Sequence, residues 1–103
     1  MAEITLTKEN FENEVLHEKG IVLVDFFATW CGPCKMLSPV IHQVAEEYAG
    51  IVKVGKVDVD AEMELATQYG IVSIPTLMVF KDGKPVQKSM GYMSKDAIVK
   101  MWT

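Results

Sequence analysis

Two cysteines lie close together in the segment TWCGPCK, residues 29 to 35. Cys31 and Cys34 are the only cysteines in the 103-residue sequence, and Gly32 and Pro33 separate them. A pair with this spacing can form a structural disulfide, supply half of a metal site, or act as a dithiol that exchanges electrons with other disulfides. The elements that flank the pair indicate which chemistry is favoured.

The cysteine pair lies between a predicted buried strand and the longest predicted helix. Residues 21 to 28 (IVLVDFFA) form a nearly unbroken apolar run, which is typical of a strand covered on both faces. Residues 34 to 48 carry apolar side chains at helical spacing, so Cys31 precedes the helix and Cys34 falls in its first turn. A helix N-terminus favours an anion and therefore a thiolate at Cys31. Gly32 permits the turn into the helix, and Pro33 suits its first residues.

The two other uses of the cysteine pair are less well supported. A structural disulfide would close a very small loop, and it is disfavoured in a reducing compartment. A zinc ion or a cluster usually needs four ligands, and only His17 and His42 remain as soft partners, in separate predicted helices. The pattern therefore favours a working dithiol and no metal.

Composition and charge narrow the class of protein. The length predicts one small domain over residues 1–103. The net charge is −4, and the ten basic residues are lysines scattered from Lys8 to Lys100, which argues against a nucleic-acid or anionic-membrane surface. The sequence lacks an apolar run of about 18 residues, and its start, MAEITLTKEN, does not resemble a signal peptide. We therefore expect a cytoplasmic protein.

The remaining elements alternate between strands and helices. The order βαβαβα followed by ββα predicts an α/β fold with a mixed central sheet and helices on both faces. The expected strands are residues 3–6, 21–28, 51–59, 76–80 and 86–90. Three helices are expected to begin at the caps Thr7, Asp60 and Ser94, and the long helix is expected to begin at Cys34 and to kink at Pro39. Asp82-Gly83 predicts a tight turn between the last two strands.

Asp25 interrupts the apolar strand six residues before Cys31. Burying a carboxylate costs several kcal/mol unless the group is paired or protonated. A purely structural aspartate is therefore hard to explain at this position, and the sequence indicates a functional one.

These motifs together resemble the thioredoxin family. DFFATWCGPCK (25–35) is similar to the family's active-site segment, and the similarity continues through KVDVD (56–60), YGIVSIPTLMVFKDG (69–83) and SMGYMSK (89–95). The resemblance extends over nearly the whole chain. It implies the thioredoxin fold, with a central mixed five-stranded β-sheet in the order βαβαβαββα.

The resemblance also implies an activity and its catalytic residues. The family reduces protein disulfides and carries electrons in cell redox homeostasis as a thiol–disulfide oxidoreductase. By resemblance, Cys31 is the nucleophile and Cys34 the resolving thiol. Asp25 matches the buried acid that accepts the proton of Cys34, and Lys56 matches the lysine that pairs with that acid.

A substrate-binding surface follows from the same resemblance. In the family, the proline of the Ile74-Pro75-Thr76 segment is cis, and the residue before it binds an extended partner segment through its backbone. An apolar patch surrounds the reactive sulfur; it corresponds here to Trp30, Val59, Ile74, Met90 and Gly91.

The family resemblance implies no bound cofactor, because the electrons reside on the two sulfurs. A thioredoxin reductase would reduce the pair again, and disulfide-containing proteins would be the substrates. The sequence leaves the oligomeric state open, and we expect a monomer. One rival is an oxidant or isomerase of the same fold, which would carry a histidine before the second cysteine. A second rival is a non-redox binding module, against which the two intact cysteines argue.

Four features depart from the family's usual pattern. Phe27 stands where a tryptophan is common, Gly55 and Tyr92 are unusual at their positions, and the chain stops at Thr103 with a short last helix. The sequence does not decide how these differences affect packing below the site or the partner groove.

Overall fold

A computed structural model describes residues 3–103 and contains a strand–helix alternation like the predicted one. The elements are β1 Glu3–Thr5, a π-helical segment Glu12–Leu16, β2 Ile21–Phe27, α1 Gly32–Glu47, β3 Val52–Asp58, α2 Met63–Gln68, β4 Thr76–Lys81, β5 Lys84–Met90 and α3 Lys95–Val99. Within the described residues, no helix is long and apolar enough to cross a membrane.

The five strands form one mixed sheet in the order β1-β3-β2-β4-β5. β3 pairs in parallel with β1 and with β2, whereas β4 is antiparallel to β2 and β5 is antiparallel to β4. β2 therefore lies in the middle of the sheet, with a neighbour on each side. This arrangement confirms the predicted five-stranded mixed sheet.

Apolar side chains of β2 point alternately to two separate cores, which explains its nearly unbroken apolar run. Val22, Val24 and Phe26 join the core beneath the π-helical segment and α2. Leu23 joins the opposite core, which α1 and α3 cover. The prediction of helices on both faces is confirmed.

The predicted helix after Thr7 is shorter and less regular than expected. Thr7 Oγ1 accepts a hydrogen bond from the Asn10 backbone at 3.3 Å, and Asn10 Oδ1 accepts one from the Thr7 backbone at 2.7 Å. The cap therefore forms, but the segment continues only as the five-residue π-helix, in which His17 N donates to Glu12 O at 2.9 Å.

The expected cap at Asp60 is wrong. α2 begins at Met63, and its N-cap Glu62 makes no side-chain capping hydrogen bond. The Asp60 carboxylate instead accepts a hydrogen bond from the indole of Trp30. By contrast, the predicted cap at Ser94 is confirmed, since Ser94 Oγ accepts from Ala97 N at 3.2 Å.

The β4–β5 turn forms where the Asp82-Gly83 pair predicts it. Both residues have a positive φ, 51° and 82°, as a tight hairpin turn of this kind requires. Gly83 has a further constraint, because a Cβ atom there would overlap the backbone carbonyl of Leu16. β5 begins at Lys84, two residues earlier than expected, because Pro85 is tolerated on an edge strand.

The unusual glycine of β3 has a packing explanation. A Cβ atom at Gly55 would overlap the side chain of Leu6, which is 1% exposed. We expect Gly55→Ala to lower the free energy of unfolding by about 1–3 kcal/mol, as overpacking of a filled core does. Urea denaturation monitored by circular dichroism measures this loss.

A double-mutant cycle with Leu6→Ala provides the control for Gly55→Ala. If Leu6 causes the clash, Gly55→Ala should cost less in the Leu6→Ala background than in the native chain. An equal cost in both backgrounds would assign the effect to the β3 backbone instead.

The short C-terminal helix is anchored to α1. Ile98 is fully buried, and the ring of Trp102 packs edge-on against Tyr48 with centroids 5.5 Å apart. Lys95 Nζ also lies 2.8 Å from a carboxylate oxygen of Glu47. These contacts hold the end of the chain although α3 has only five residues.

Candidate active site

The cysteine pair lies at the junction of β2 and α1, as the sequence predicts. Cys31 is the N-cap of α1, with extended backbone angles, and Gly32 and Pro33 begin the helix. Cys31 Sγ accepts a hydrogen bond from the backbone N–H of Cys34 at 3.2 Å. The sulfur of Cys31 therefore occupies the place where a helix N-terminus stabilises negative charge.

Cys31 and Cys34 form a disulfide bond, and their Cα atoms are 5.2 Å apart. Each residue is only 5% exposed, and both pack with the buried Ala28. Because both cysteines lie within one helical turn, the disulfide bond can break and form again between them. This arrangement suits reversible exchange between a dithiol and a disulfide.

The loop before β4 lies against the reactive pair. The Ile74–Pro75 peptide bond is cis, and the carbonyl oxygen of Ile74 is 3.9 Å from Cys31 Sγ. Ile74, Val59 and Phe27 pack around the two cysteines. The structure therefore brings the backbone of Ile74 to the sulfur that the sequence predicts to be the nucleophile.

The end of β5 lies next to the same loop. Gly91 N donates a hydrogen bond to Pro75 O at 2.8 Å, and Met90 pairs with Thr76 in the β4–β5 ladder. Thr76 Oγ1 donates to Ser73 O at 2.6 Å, which fixes the loop from the inside. The residues expected from β4 and β5 thus lie together around the Ile74–Pro75 loop, whose Ile74 carbonyl contacts Cys31.

Trp30 presents an exposed aromatic surface at this end of the molecule. The side chain is 67% exposed, yet its Nε1 donates a hydrogen bond to Asp60 Oδ2 at 2.7 Å. Asp58 Oδ1 in turn accepts from Asp60 N at 2.9 Å and so orders the loop. The indole edge is held in place while its ring stays accessible.

Asp60 joins this end of the molecule through its hydrogen bond with Trp30, a contact that the sequence did not predict. Its place after β3 was the available signal, because β2 and β3 pair in parallel and their carboxyl ends meet at one edge of the sheet. Tyr92, half exposed just after Gly91, also belongs to this end of the molecule.

Asp25 is buried beneath the site, with 1% of its surface exposed. Among residues 3–103, its Oδ1 has no hydrogen-bond partner. Burial raises the pKa of Asp25 from 3.8 to about 7, against the opposing charge of Lys56 and with a further upward contribution from Glu3. The carboxyl group can therefore gain or lose a proton near neutral pH.

Lys56 lies opposite Asp25 in the β2–β3 ladder but does not form a close ion pair with it. Its Nζ donates to Ser38 Oγ at 3.3 Å and lies 4.6 Å from the centroid of the Phe27 ring. Among the described residues, no ion pair within 4.0 Å joins Lys56 to Asp25. Lys56 acts on Asp25 through its charge, which lowers the pKa of the carboxyl group.

Phe27 and Lys56 also line an open cleft of about 430 Å³, together with residues of β1, β3 and the loop that follows β3. The Phe27 ring forms a cation–π contact with Lys56. This contact gives the unusual phenylalanine a defined packing role.

The metal-binding side chains of the described chain are dispersed: over residues 3–103, no three His, Cys, Asp or Glu groups gather closely enough to hold an ion.

The mixed sheet, the Cys31–Cys34 disulfide at a helix N-terminus and the Ile74 carbonyl beside Cys31 together define a thiol–disulfide oxidoreductase of the thioredoxin fold.

Comparison with known proteins agrees with this class. The family model described as thioredoxin matches residues 2–103. Thioredoxins from the Staphylococcus aureus strains Mu50, MW2 and N315 are each 46% identical to this chain over 101 residues, which cover 98% of this chain and 95% of each relative. The chain belongs to the thioredoxin family. It is a protein-disulfide reductase and redox electron carrier whose cysteine pair alternates between dithiol and disulfide.

Proposed function

We propose that Cys31 is the nucleophile of this reaction and Cys34 the resolving thiol. The observation that carries the assignment is the hydrogen bond from Cys34 N to Cys31 Sγ at the N-terminus of α1. In the reduced chain the same donor and the helix dipole would stabilise a thiolate at Cys31. That thiolate attacks a target disulfide, forms a mixed disulfide and releases the first target thiolate.

Asp25 is proposed to accept the proton of Cys34 in the second step. Its pKa of about 7 suits a general base at neutral pH. Once deprotonated, Cys34 attacks Cys31 and displaces the second target sulfur as a thiolate. The charge of Lys56, across the ladder from Asp25, supports the ionised form of the base.

The target segment is proposed to bind in an extended conformation along Ile74, Pro75 and Thr76. The Ile74 carbonyl beside Cys31 supports this, because a backbone acceptor there can pair with an incoming strand. Trp30, Val59, Met90 and Gly91 would supply an apolar surface around the exchange site. Such a surface, with 67% of Trp30 and 60% of Met90 exposed, suits many different partners.

A coupled assay tests the proposed electron path from a thioredoxin reductase through this chain to a protein disulfide. We expect catalytic insulin reduction that requires the reductase, its electron donor and the chain. Cys31→Ser should give only the background rate, because the pair cannot cycle without that sulfur. Failure of a purified thioredoxin reductase to reduce the oxidised chain would remove it as the proposed partner.

Trp30→Ala tests the apolar surface in the same assay. We expect KM for insulin to rise about 5- to 30-fold, as loss of an aromatic contact of 1–2 kcal/mol would produce. Reduction of a small disulfide such as cystine should change little, since it does not reach the surface around Trp30. Equal losses on both substrates would contradict a substrate-binding role.

We also propose that residues 1–103 act as one thioredoxin domain, as a monomer and in the cytoplasm. The reducing cytosol supports this setting because it sustains a dithiol electron donor. The scattered lysines and the charge of −4 favour protein disulfides over nucleic acids or membranes as partners. Light scattering would detect a stable dimer, and recovery of the protein in the membrane or secreted fraction would contradict the proposed location.

A further inference from the structure

A strip of polar side chains, here called the polar seam, crosses the interface between α1 and the sheet. It consists of Glu3 on β1, Lys56 on β3, Asp25 on β2, and Ser38 and His42 on α1. The ladder pairs Lys56 with Asp25, and Glu3 with Val54, two residues before Lys56. Lys56 donates a hydrogen bond to Ser38, and Glu3 forms a hydrogen bond with His42, one helical turn further along α1. The seam therefore leads from the buried acid to the exposed end of His42.

The Glu3–His42 contact is short and sheltered on one side. Glu3 Oε2 lies 2.8 Å from His42 Nδ1, and the Glu3 side chain is only 16% exposed, whereas His42 is 62% exposed. The Glu12–His17 contact can be compared with it. Glu12 Oε2 lies 3.3 Å from His17 Nε2, and the two side chains are 72% and 61% exposed. A carboxylate shielded from water acts over a longer range, so Glu3 can influence groups under α1 in a way that Glu12 cannot.

We propose that Glu3, held by His42, is a positioning residue that adds to the proton affinity that burial gives Asp25 for the transfer from Cys34. This inference rests on the proposed role of Asp25 as the base. The charged groups that act on Asp25 are Lys56 on the neighbouring strand β3 and Glu3 on β1, one strand further out. On the other side of Asp25, β4 contributes the non-titratable Leu77. Of these, Glu3 is the negatively charged group, and its charge disfavours ionisation of the Asp25 carboxyl group.

The packing of α1 completes the set of groups. Cys34, Ser38 and His42 lie at four-residue intervals on this helix, and the last two bond the seam residues Lys56 and Glu3. The charged partner of His42 is Glu3 on β1. The Nδ1–H tautomer of His42 and the protonated ring can both donate this hydrogen bond to Glu3.

The seam acts on one chemical step. The S–H bond of Cys34 breaks and an O–H bond forms on Asp25. The Cys34 sulfur then bonds to Cys31 while the bond from Cys31 to the target sulfur breaks, and the target leaves with the electron pair as a thiolate. A fixed negative charge at Glu3 favours the protonated form of Asp25 and so makes its carboxylate the stronger base, which Lys56 opposes.

The experiment follows the release step in isolation. A mixed disulfide between Cys31 and thionitrobenzoate is prepared at low pH, and release of the coloured thiolate by Cys34 is timed as a function of pH. We expect Glu3→Gln to move the midpoint of the rate profile downward by about half a pH unit, as loss of one partly screened charge would. Carbon NMR of the Asp25 carboxyl group should show the same shift in the reduced protein.

Glu12→Gln is the matched control, because it removes the same charge from the exposed Glu12–His17 pair. Its profile should coincide with that of the native chain. Coincident profiles for Glu3→Gln and the native chain would overturn the inference. Equal shifts in Glu3→Gln and Glu12→Gln would overturn it too, since they would report only net charge.

Variants at His42 test the holding contact and provide a second route if Glu3→Gln folds poorly. His42→Gln keeps an N–H donor and should retain the native profile, whereas His42→Ala should move the midpoint downward, less far than Glu3→Gln. An unchanged His42→Ala profile would overturn the role of His42. Asp25→Asn separates the two proposals: if it leaves the release profile unchanged, Asp25 is not the base; if it changes the profile while Glu3→Gln does not, only the seam fails.

Discussion

Replacing Cys34 with serine is expected to convert the chain into a trap that stays covalently bound to its targets. Cys31 can still attack a disulfide, but without the second sulfur the mixed disulfide has no internal route to release. Turnover of insulin should fall by about a thousandfold or more, as when one member of a catalytic unit is removed. Non-reducing electrophoresis with peptide mapping by mass spectrometry should find the target joined to Cys31.

Cys31→Ser is the matched control for the Cys34→Ser trap. The two variants make the same chemical change three residues apart, and both residues are equally buried. Only the variant that keeps Cys31 should accumulate the mixed disulfide. If Cys31→Ser trapped targets through Cys34 as efficiently, the assignment of Cys31 as the nucleophile would be contradicted.

The location of the cysteine pair was predictable from the sequence because local patterns determine it. A buried apolar run precedes the pair and a long amphipathic segment follows it, so the N-terminus of α1 had to begin near Cys31. The order of strands and helices follows from the same alternation. The family resemblance then supplied roles for residues that lie far apart in the chain, such as Ile74 and Gly91.

The contacts that the sequence did not reveal depend on strand order and register. Aspartate is a common helix-capping residue, which is why the sequence predicts a cap at Asp60. Parallel pairing of β2 and β3 instead brings Asp60 to Trp30, and this tertiary contact outweighs the capping preference. The Glu3–His42 contact needs β1 on the outer side of β3, which short apolar runs do not specify. The pattern after Thr7 likewise predicts a helix without distinguishing its π-helical form.

Asp25 links the fold of this protein to its chemistry, because the same burial that raises its pKa also makes its ionised form costly. The folded chain holds a proton on Asp25 up to a pKa of about 7, whereas the reference carboxyl group releases it near 3.8. Between these values the folded state binds more protons than the unfolded state, so the free energy of unfolding falls as the pH rises. The loss amounts to about 4 kcal/mol once the pH exceeds 7.

Asp25→Asn is therefore expected to stabilise the fold and to slow the reaction. The amide has nearly the same shape and does not ionise, so the variant should gain up to about 4 kcal/mol over the native chain at pH 8 and little below pH 4. Release of a mixed disulfide by Cys34 should slow by about ten- to a hundredfold at pH 7, because the internal proton acceptor is missing.

Urea unfolding at several pH values, paired with the timed release assay, checks both effects of Asp25→Asn. The stability difference between the two proteins should open between about pH 4 and pH 7, the window set by the two pKa values of Asp25. Glu12→Gln again serves as the control, since Glu12 is 72% exposed and contacts His17 rather than Asp25. Parallel stability curves would show that Asp25 does not titrate in this range. A stabilised variant with native release kinetics would mean that Cys34 passes its proton directly to water.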